Sequence, residues 1–174
     1  EDKRRGLMNK MKENEAKKQI HAEQNLERAI PLLERGTVEE AFKLLDEAWK
    51  MYSGSKSLRL YHIWATAKYK PATIKNNLGA IRNELEEFNL EEKKSALYYF
   101  VSGLLYALES DFQNAEKSLN RSLEFDKNFL SARRELMRLK TSSKPAGFKA
   151  KTSDIFTGDI TTIVSGLFKK NKSG

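Results

Sequence analysis

The chain has 174 residues, with 32 Lys or Arg, 24 Asp or Glu and no cysteine. The absence of cysteine excludes a disulfide framework, a thiolate zinc site and a cysteine nucleophile. The length predicts one domain with or without tails, and no run approaches the roughly 18 to 20 apolar residues that span a bilayer. The lack of cysteine leaves the compartment open but favours the cytoplasm. Because the sequence begins at Glu1 and not at methionine, we expect it to be part of a longer protein.

The first third of the sequence predicts a charged helix followed by a helical hairpin. Residues 1–23 are polar and helix-forming, with too few apolar side chains for a wide apolar face. From residue 24 the apolar spacing tightens, and Gly36 and Thr37 predict the end of one helix and the start of another. Thr37 followed by Glu40 predicts a capping box. Pro31 should either kink the first helix or mark its start.

Two more hairpins and a closing helix follow in the same manner. Apolar residues recur at spacings of three and four, which is the period of an amphipathic helix. Ser, Lys, Pro and Gly in residues 141–152 then indicate a linker. The predicted helices of this part cover 58–69 and 73–88, then 91–109 and 111–125, and finally 129–140.

The third hairpin carries small residues where two helices must approach closely, with large side chains around them. The set comprises Tyr99, Gly103, Tyr106, Ala115, Leu119 and Ser122. Its spacing resembles that of the tetratricopeptide repeat, with Leu119 and Ser122 where Phe and Ala are usual and Lys127 in place of the usual Pro. Weaker copies comprise Ala29, Leu32, Ala41, Leu45 and Ala48, and then Tyr61, Trp64 and Ala65.

This resemblance implies an all-α fold in which residues 24–140 form a solenoid of stacked antiparallel helical hairpins, closed by a capping helix. A generic helix bundle is the alternative. The order of the repeats, the run Tyr-His-Ile-Trp-Ala-Thr-Ala-Lys-Tyr at 61–69 and the charged opening at 1–7 also resemble the C-terminal module of certain bacterial J-domain proteins. That second resemblance implies a bacterial, co-chaperone-like protein, but the His-Pro-Asp motif of J-domains is absent from the chain.

The residues that catalysis or metal binding would need do not occur in suitable patterns. His21 and His62 lie far apart, and neither has a metal ligand at helical spacing. Phosphate loops and nucleophile elbows are also missing. A group of glutamates at 84, 86, 87, 91 and 92 is interpreted as a solvated surface patch. We therefore expect a protein that is not an enzyme and uses no cofactor or metal.

The first helices of the predicted repeats carry apolar residues where a concave face would lie. These residues suit an amphipathic helix or apolar peptide of a protein partner better than a peptide carboxylate. The predicted function is therefore a non-catalytic adaptor or scaffold, although part of this surface could instead pack on a neighbouring repeat. The predicted contacts are Tyr61, Trp64, Lys68, Leu97, Phe100, Val101 and Leu104, with Arg134 and Arg138 at the rim.

The C-terminal segment, 153–174, is both amphipathic and basic. From residue 133 onward there are ten basic and three acidic residues, which accounts for +7 of the net charge of +8. The segment could dock on its own repeats or on a second copy, bind a partner, or lie on an anionic membrane surface. The alternative function is a tether that brings an upstream domain to membrane or nucleic acid, the latter without a supporting motif. The apolar face comprises Ile155, Phe156, Ile160, Ile163, Val164, Leu167 and Phe168.

Overall fold

The computed structural model describes residues 1–142, and every regular element in that range is an α-helix. The prediction of an all-α fold is confirmed for this part of the chain. Most of the predicted linker and the whole C-terminal segment, including the apolar face from Ile155 to Phe168, lie outside the described residues. The helices are α1 (Asp2–Arg35), α2 (Val38–Met51), α3 (Lys56–Tyr69), α4 (Pro71–Asn76), α5 (Leu78–Glu86), α6 (Leu90–Lys93), α7 (Ala96–Leu108), α8 (Phe112–Phe125) and α9 (Leu130–Ser142).

Helix α1 joins the predicted lead-in segment and the first repeat helix without interruption. Pro31 lies in its last turns and does not mark its start. The helix ends at Gly36, whose φ of 87° is in the left-handed region that favours glycine. The N–H of Gly36 bonds the carbonyl of Leu33 at 3.0 Å and the N–H of Thr37 bonds that of Leu32 at 2.8 Å. This pair of bonds satisfies carbonyls at the helix end in a Schellman motif.

The predicted capping box at Thr37 and Glu40 is wrong. Thr37 has φ −81° and ψ 66°, and its side chain makes no capping hydrogen bond. The cause lies in the side chain and not in the backbone, because Asp111 caps α8 from nearly the same conformation, with φ −84° and ψ 73°. A capping box forms instead at α6, where Asn89 accepts from Glu92 N at 3.0 Å and Glu92 accepts from Asn89 N at 2.8 Å.

Two predicted helices are each divided into two. The helix predicted at 73–88 breaks at Asn77, whose φ of −123° is not helical. Its side-chain amide donates to the carbonyl of Thr73 at 2.9 Å, so a local side-chain bond competes with the helical backbone. The helix predicted at 91–109 stops at Lys93 and resumes as α7, because Ser95 is extended and caps the new helix by accepting from Tyr98 N at 3.1 Å.

Helix α3 occupies the centre of the packing. The pairs α1 with α2 and α7 with α8 form hairpins, and α3 packs between them against α2 and α7. The α7–α8 contact is very close at Gly103, where an added Cβ would stand 2.8 Å from Leu119 Cγ. At the end of the hairpin away from its turn, Ser122 Oγ of α8 donates a hydrogen bond to the carbonyl of Ala96, the first residue of α7, at 2.7 Å. Gly103 and Ser122, two of the small residues predicted at this contact, therefore allow α7 and α8 to approach each other closely.

Candidate partner-binding surface

Phe129 and helix α9 lie over part of the surface that the sequence predicts as an apolar groove. Phe129, immediately before α9, stacks edge to face on Trp64 of α3 and Phe100 of α7, with ring centroids 6.0 and 5.0 Å apart. Arg134 of α9 donates to the carbonyl of Glu34 at 2.7 Å, at the end of α1. Phe129 and α9 together thus contact α1, α3 and α7, one helix from each of the three predicted hairpins.

Four of the predicted contact residues are core residues. Trp64, Phe100, Val101 and Leu104 are all buried, so the expectation that they form an exposed apolar face is corrected. The reason is that α3 and α7 pack on each other here and that Phe129 takes the remaining space above the rings. Of the alternatives that the sequence left open, packing within the chain is the one these side chains adopt.

The remaining predicted residues are more accessible. Tyr61 and Leu97 are half-buried and packed against the core, and Lys68, Arg134 and Arg138 are exposed. Lys68 and Arg138 converge on one carboxylate, whereas Arg134 reaches α1 instead. A partner can therefore reach the polar members of the predicted set more readily than its apolar members.

Glu135 is the carboxylate on which these cations converge. It is only 4% exposed and lies on the buried side of α9 with Ala132, Leu136 and Leu139. Lys68 of α3 forms an ion pair with one carboxylate oxygen, and Arg138 binds the other, with its Nε at 3.0 Å. Burial opposes ionisation of Glu135, but the hydrogen bonds and charges of Arg138 and Lys68 outweigh it and hold its pKa below the ordinary value.

A cleft of about 380 Å³ opens beside this ion-pair cluster, between α3, α4, α7 and α9. Among the described residues that line it, four apolar side chains form the floor, and three cations stand beside one carboxylate, so this lining carries an excess of positive charge. It brings together three of the predicted residues, Lys68, Leu104 and Arg138. The lining residues are Ala67, Lys68, Lys75, Leu104, Ala107, Leu108, Ser110, Glu135 and Arg138.

Glu135 and Lys75 also belong to this site, although neither was predicted from the sequence. Glu135 had a recognisable signal, because it stands three residues from Ala132 and four from Leu139, within the apolar stripe of its helix. A carboxylate in such a stripe requires a cationic partner when it is buried. Lys75 had no comparable signal, since a lysine at a polar position of a predicted amphipathic helix does not indicate which other helix it approaches.

His62 lies in a half-buried polar cluster between α2 and α3. Its ring stacks near Phe42 and Trp49, at centroid distances of 6.3 and 5.9 Å. Arg59 Nη1 lies 3.3 Å from its Nδ1, and an oxygen of Asp46 lies 3.5 Å from its Nε2. Burial lowers the pKa of His62, the charge of Arg59 lowers it further, and Asp46 partly opposes both.

The predicted surface patch of glutamates is partly paired. Arg59 forms a bidentate ion pair with Glu84, in which Nε donates to Oε1 and Nη2 donates to Oε2, both at 2.6 Å. Lys93 pairs with Glu86 at 3.0 Å, and Lys94 pairs with Glu91 at 2.8 Å. These contacts give the glutamates structural partners and leave Glu84 half-buried.

Over residues 1–142, no cluster of three or more histidine or acidic side chains is arranged to hold a metal ion. In the same residues, no helix combines the length and apolar character that crossing a membrane requires. Comparison of the chain with known protein families, with curated proteins and with solved structures gives no match.

Proposed function

We propose that the chain is a non-catalytic adaptor with a tetratricopeptide-like array of helical hairpins, which binds a protein partner in the cleft between α3, α4, α7 and α9. The observation that carries the proposal is the composition of the described lining of this cleft: Lys68, Lys75 and Arg138 surround an apolar floor, and Glu135 is the one carboxylate among these lining residues. The ligand that suits such a cleft is a peptide segment with an apolar side chain next to an acidic group.

The packing of the hairpins supports the repeat part of the proposal. Helices α7 and α8 meet at Gly103 and Ala115, two small residues that the repeat pattern requires at their contact. Ala29, Ala41 and Ala48 are fully buried in the α1–α2 hairpin, at the positions of a second copy. Helix α9 follows the last hairpin in the place of a capping helix.

The ion pairs at the cleft support a binding role for its rim. Because Glu135 already satisfies Lys68 and Arg138 in part, an incoming carboxylate has Lys75 as its least engaged cation. The apolar floor offers Ala107 and Leu108, both half-buried, to a side chain next to that carboxylate. Affinity should then depend on salt and on the acidic group, since a surface-exposed charge pair is screened by ions.

The test is a selection of phage-displayed peptides on the full chain, followed by calorimetric titration of the enriched peptides. The variant Lys75→Glu reverses the charge of one cleft side chain and leaves Glu135 unchanged, and Lys127→Glu makes the same charge change in the exposed turn after α8. We expect enriched peptides to combine acidic and apolar residues. Their dissociation constants should rise about tenfold in Lys75→Glu and stay unchanged in Lys127→Glu.

Two outcomes would contradict the proposal. Enriched peptides that bind the Lys75→Glu and wild-type chains equally would show that the cleft is not their site. A selection that enriches nothing above background would also count against the cleft, provided that circular dichroism shows the immobilised protein to be folded. A third variant, Ala107→Phe, fills the cleft without changing charge and should abolish binding of any peptide that enters it.

A further inference from the structure

The N-terminal half of α1 extends beyond the rest of the described fold. Every residue from 1 to 21 is exposed, and Ala22 is the first buried one. At 1.5 Å per residue, this part of the helix is about 30 Å long. Leu7, Met8 and Met11 lie on it with exposures of 63%, 58% and 63%. An isolated helix of this length is only marginally stable in water, so a packing partner would stabilise it.

The exposed half has a side that continues the buried side of the same helix. Ala22, Asn25, Ala29 and Leu33 are the buried residues of α1. Counting back from Ala22 in steps of four and three along the same side gives the following stripe: Lys18, Glu15, Met11, Met8 and Arg4. The side that α2 and α3 cover near the C-terminal end therefore runs on, uncovered by described residues, to the N-terminal end.

We propose that this segment pairs in antiparallel orientation with the same segment of a second copy of the chain. In the proposed register, the numbers of two residues that face each other across the interface add up to 19. Met8 then lies opposite Met11 of the second copy, and Arg4 lies opposite its Glu15. Two-fold symmetry repeats each contact, because residue i of one chain meets j of the other and j meets i. The centre of the interface is then formed by four methionines, with an Arg–Glu pair on either side.

The charges favour the antiparallel arrangement over a parallel one. In a parallel, in-register pair, Arg4 would face Arg4, Glu15 would face Glu15 and Lys18 would face Lys18, and like charges repel at such positions. The antiparallel pair replaces these repulsions by attractions, and it also opposes the two helix dipoles. Leu7 lies beside the methionine layers and adds apolar contact area. A sequence that is complementary to itself in this way fits a second copy better than an unrelated partner.

Sedimentation equilibrium of the full chain over a range of concentrations tests the pairing. The single variants Arg4→Glu and Glu15→Arg each place like charges opposite one another, and the double variant restores the attraction with reversed signs. We expect each single variant to raise the dimer dissociation constant about tenfold and the double variant to restore it. Lys10→Glu is the matched control, since Lys10 lies outside the stripe and should leave dimerisation nearly unchanged.

Oxidative cross-linking tests the orientation, because the native chain contains no cysteine. Equal amounts of Met8→Cys and Met11→Cys chains should give mainly the mixed 8–11 disulfide. Mainly same-residue disulfides would overturn the antiparallel register. A chain that is monomeric at all concentrations would overturn the pairing itself. A dimer whose dissociation constant is the same in both single charge-reversal variants as in the wild type would also overturn it. Monomeric chains that bind phosphatidylserine vesicles through this segment would assign the stripe to a lipid surface instead.

Discussion

The close contact of α7 and α8 at Gly103 yields a quantitative prediction for the variant Gly103→Ala. An alanine Cβ would stand 2.8 Å from Leu119 Cγ, 2.9 Å from Leu119 Cδ2 and 3.3 Å from the carbonyl oxygen of Ala115. Leu119 is fully buried and cannot swing into solvent. Overpacking of this kind costs about 1 to 3 kcal/mol, against a gain in helix propensity of about 1 kcal/mol. We expect a net loss of about 1 kcal/mol in the free energy of unfolding.

Urea denaturation followed by circular dichroism measures this loss, with Gly79→Ala as the matched control. Gly79 is also helical, but nothing lies within 4 Å of an added Cβ there, so Gly79→Ala should gain about 0.5 to 1 kcal/mol from propensity alone. The reasoning would be refuted if Gly103→Ala were stabilised as much as Gly79→Ala. In addition, Leu119→Ala should cost less in the Gly103→Ala background than in the wild type, because the new methyl group occupies part of the cavity.

Three further predictions concern single side chains. Lys68→Met should lower the free energy of unfolding by about 1 to 3 kcal/mol, measured by urea denaturation, because buried Glu135 then keeps only Arg138; a value near zero would contradict the role of the pair. Gly36→Ala should cost about 1 to 2 kcal/mol in the same assay, and Gly36→Asn less, since φ is 87°. The free energy of unfolding should fall as the pH drops below about 6.5, the ordinary pKa of histidine, towards the lower pKa of folded His62. Between these two values the unfolded chain binds a proton that the folded chain does not bind. His62→Gln should flatten the profile in that window.

The regular part of the fold follows from spacing along the sequence. Helix α8 occupies nearly its predicted range, 111–125, because its apolar residues recur at the helical period and its first residue carries a clear capping signal. Asp111, for instance, accepts from Asn114 N at 3.1 Å as the N-cap of α8. The break at Asn77 was not predictable with the same certainty. An asparagine inside an amphipathic stripe costs only a few tenths of a kcal/mol, so the tertiary environment decides whether the helix continues.

The position of α9 shows why the binding surface could not be read from the sequence. Trp64, Phe100 and Leu104 have apolar side chains that a partner or the chain's own next helix could bury equally well. The hydrophobic effect is non-directional, so these side chains do not specify which of the two covers them. An ionised side chain on the covering helix is more specific, because a buried carboxylate needs a cation within hydrogen-bond distance. The position of that cation therefore indicates which helix covers the apolar side chains. Glu135 meets Lys68 and thereby fixes α9 against α3. The two surfaces that we propose for partners are ones that α9 leaves uncovered, namely the basic cleft beside Glu135 and the exposed stripe of α1.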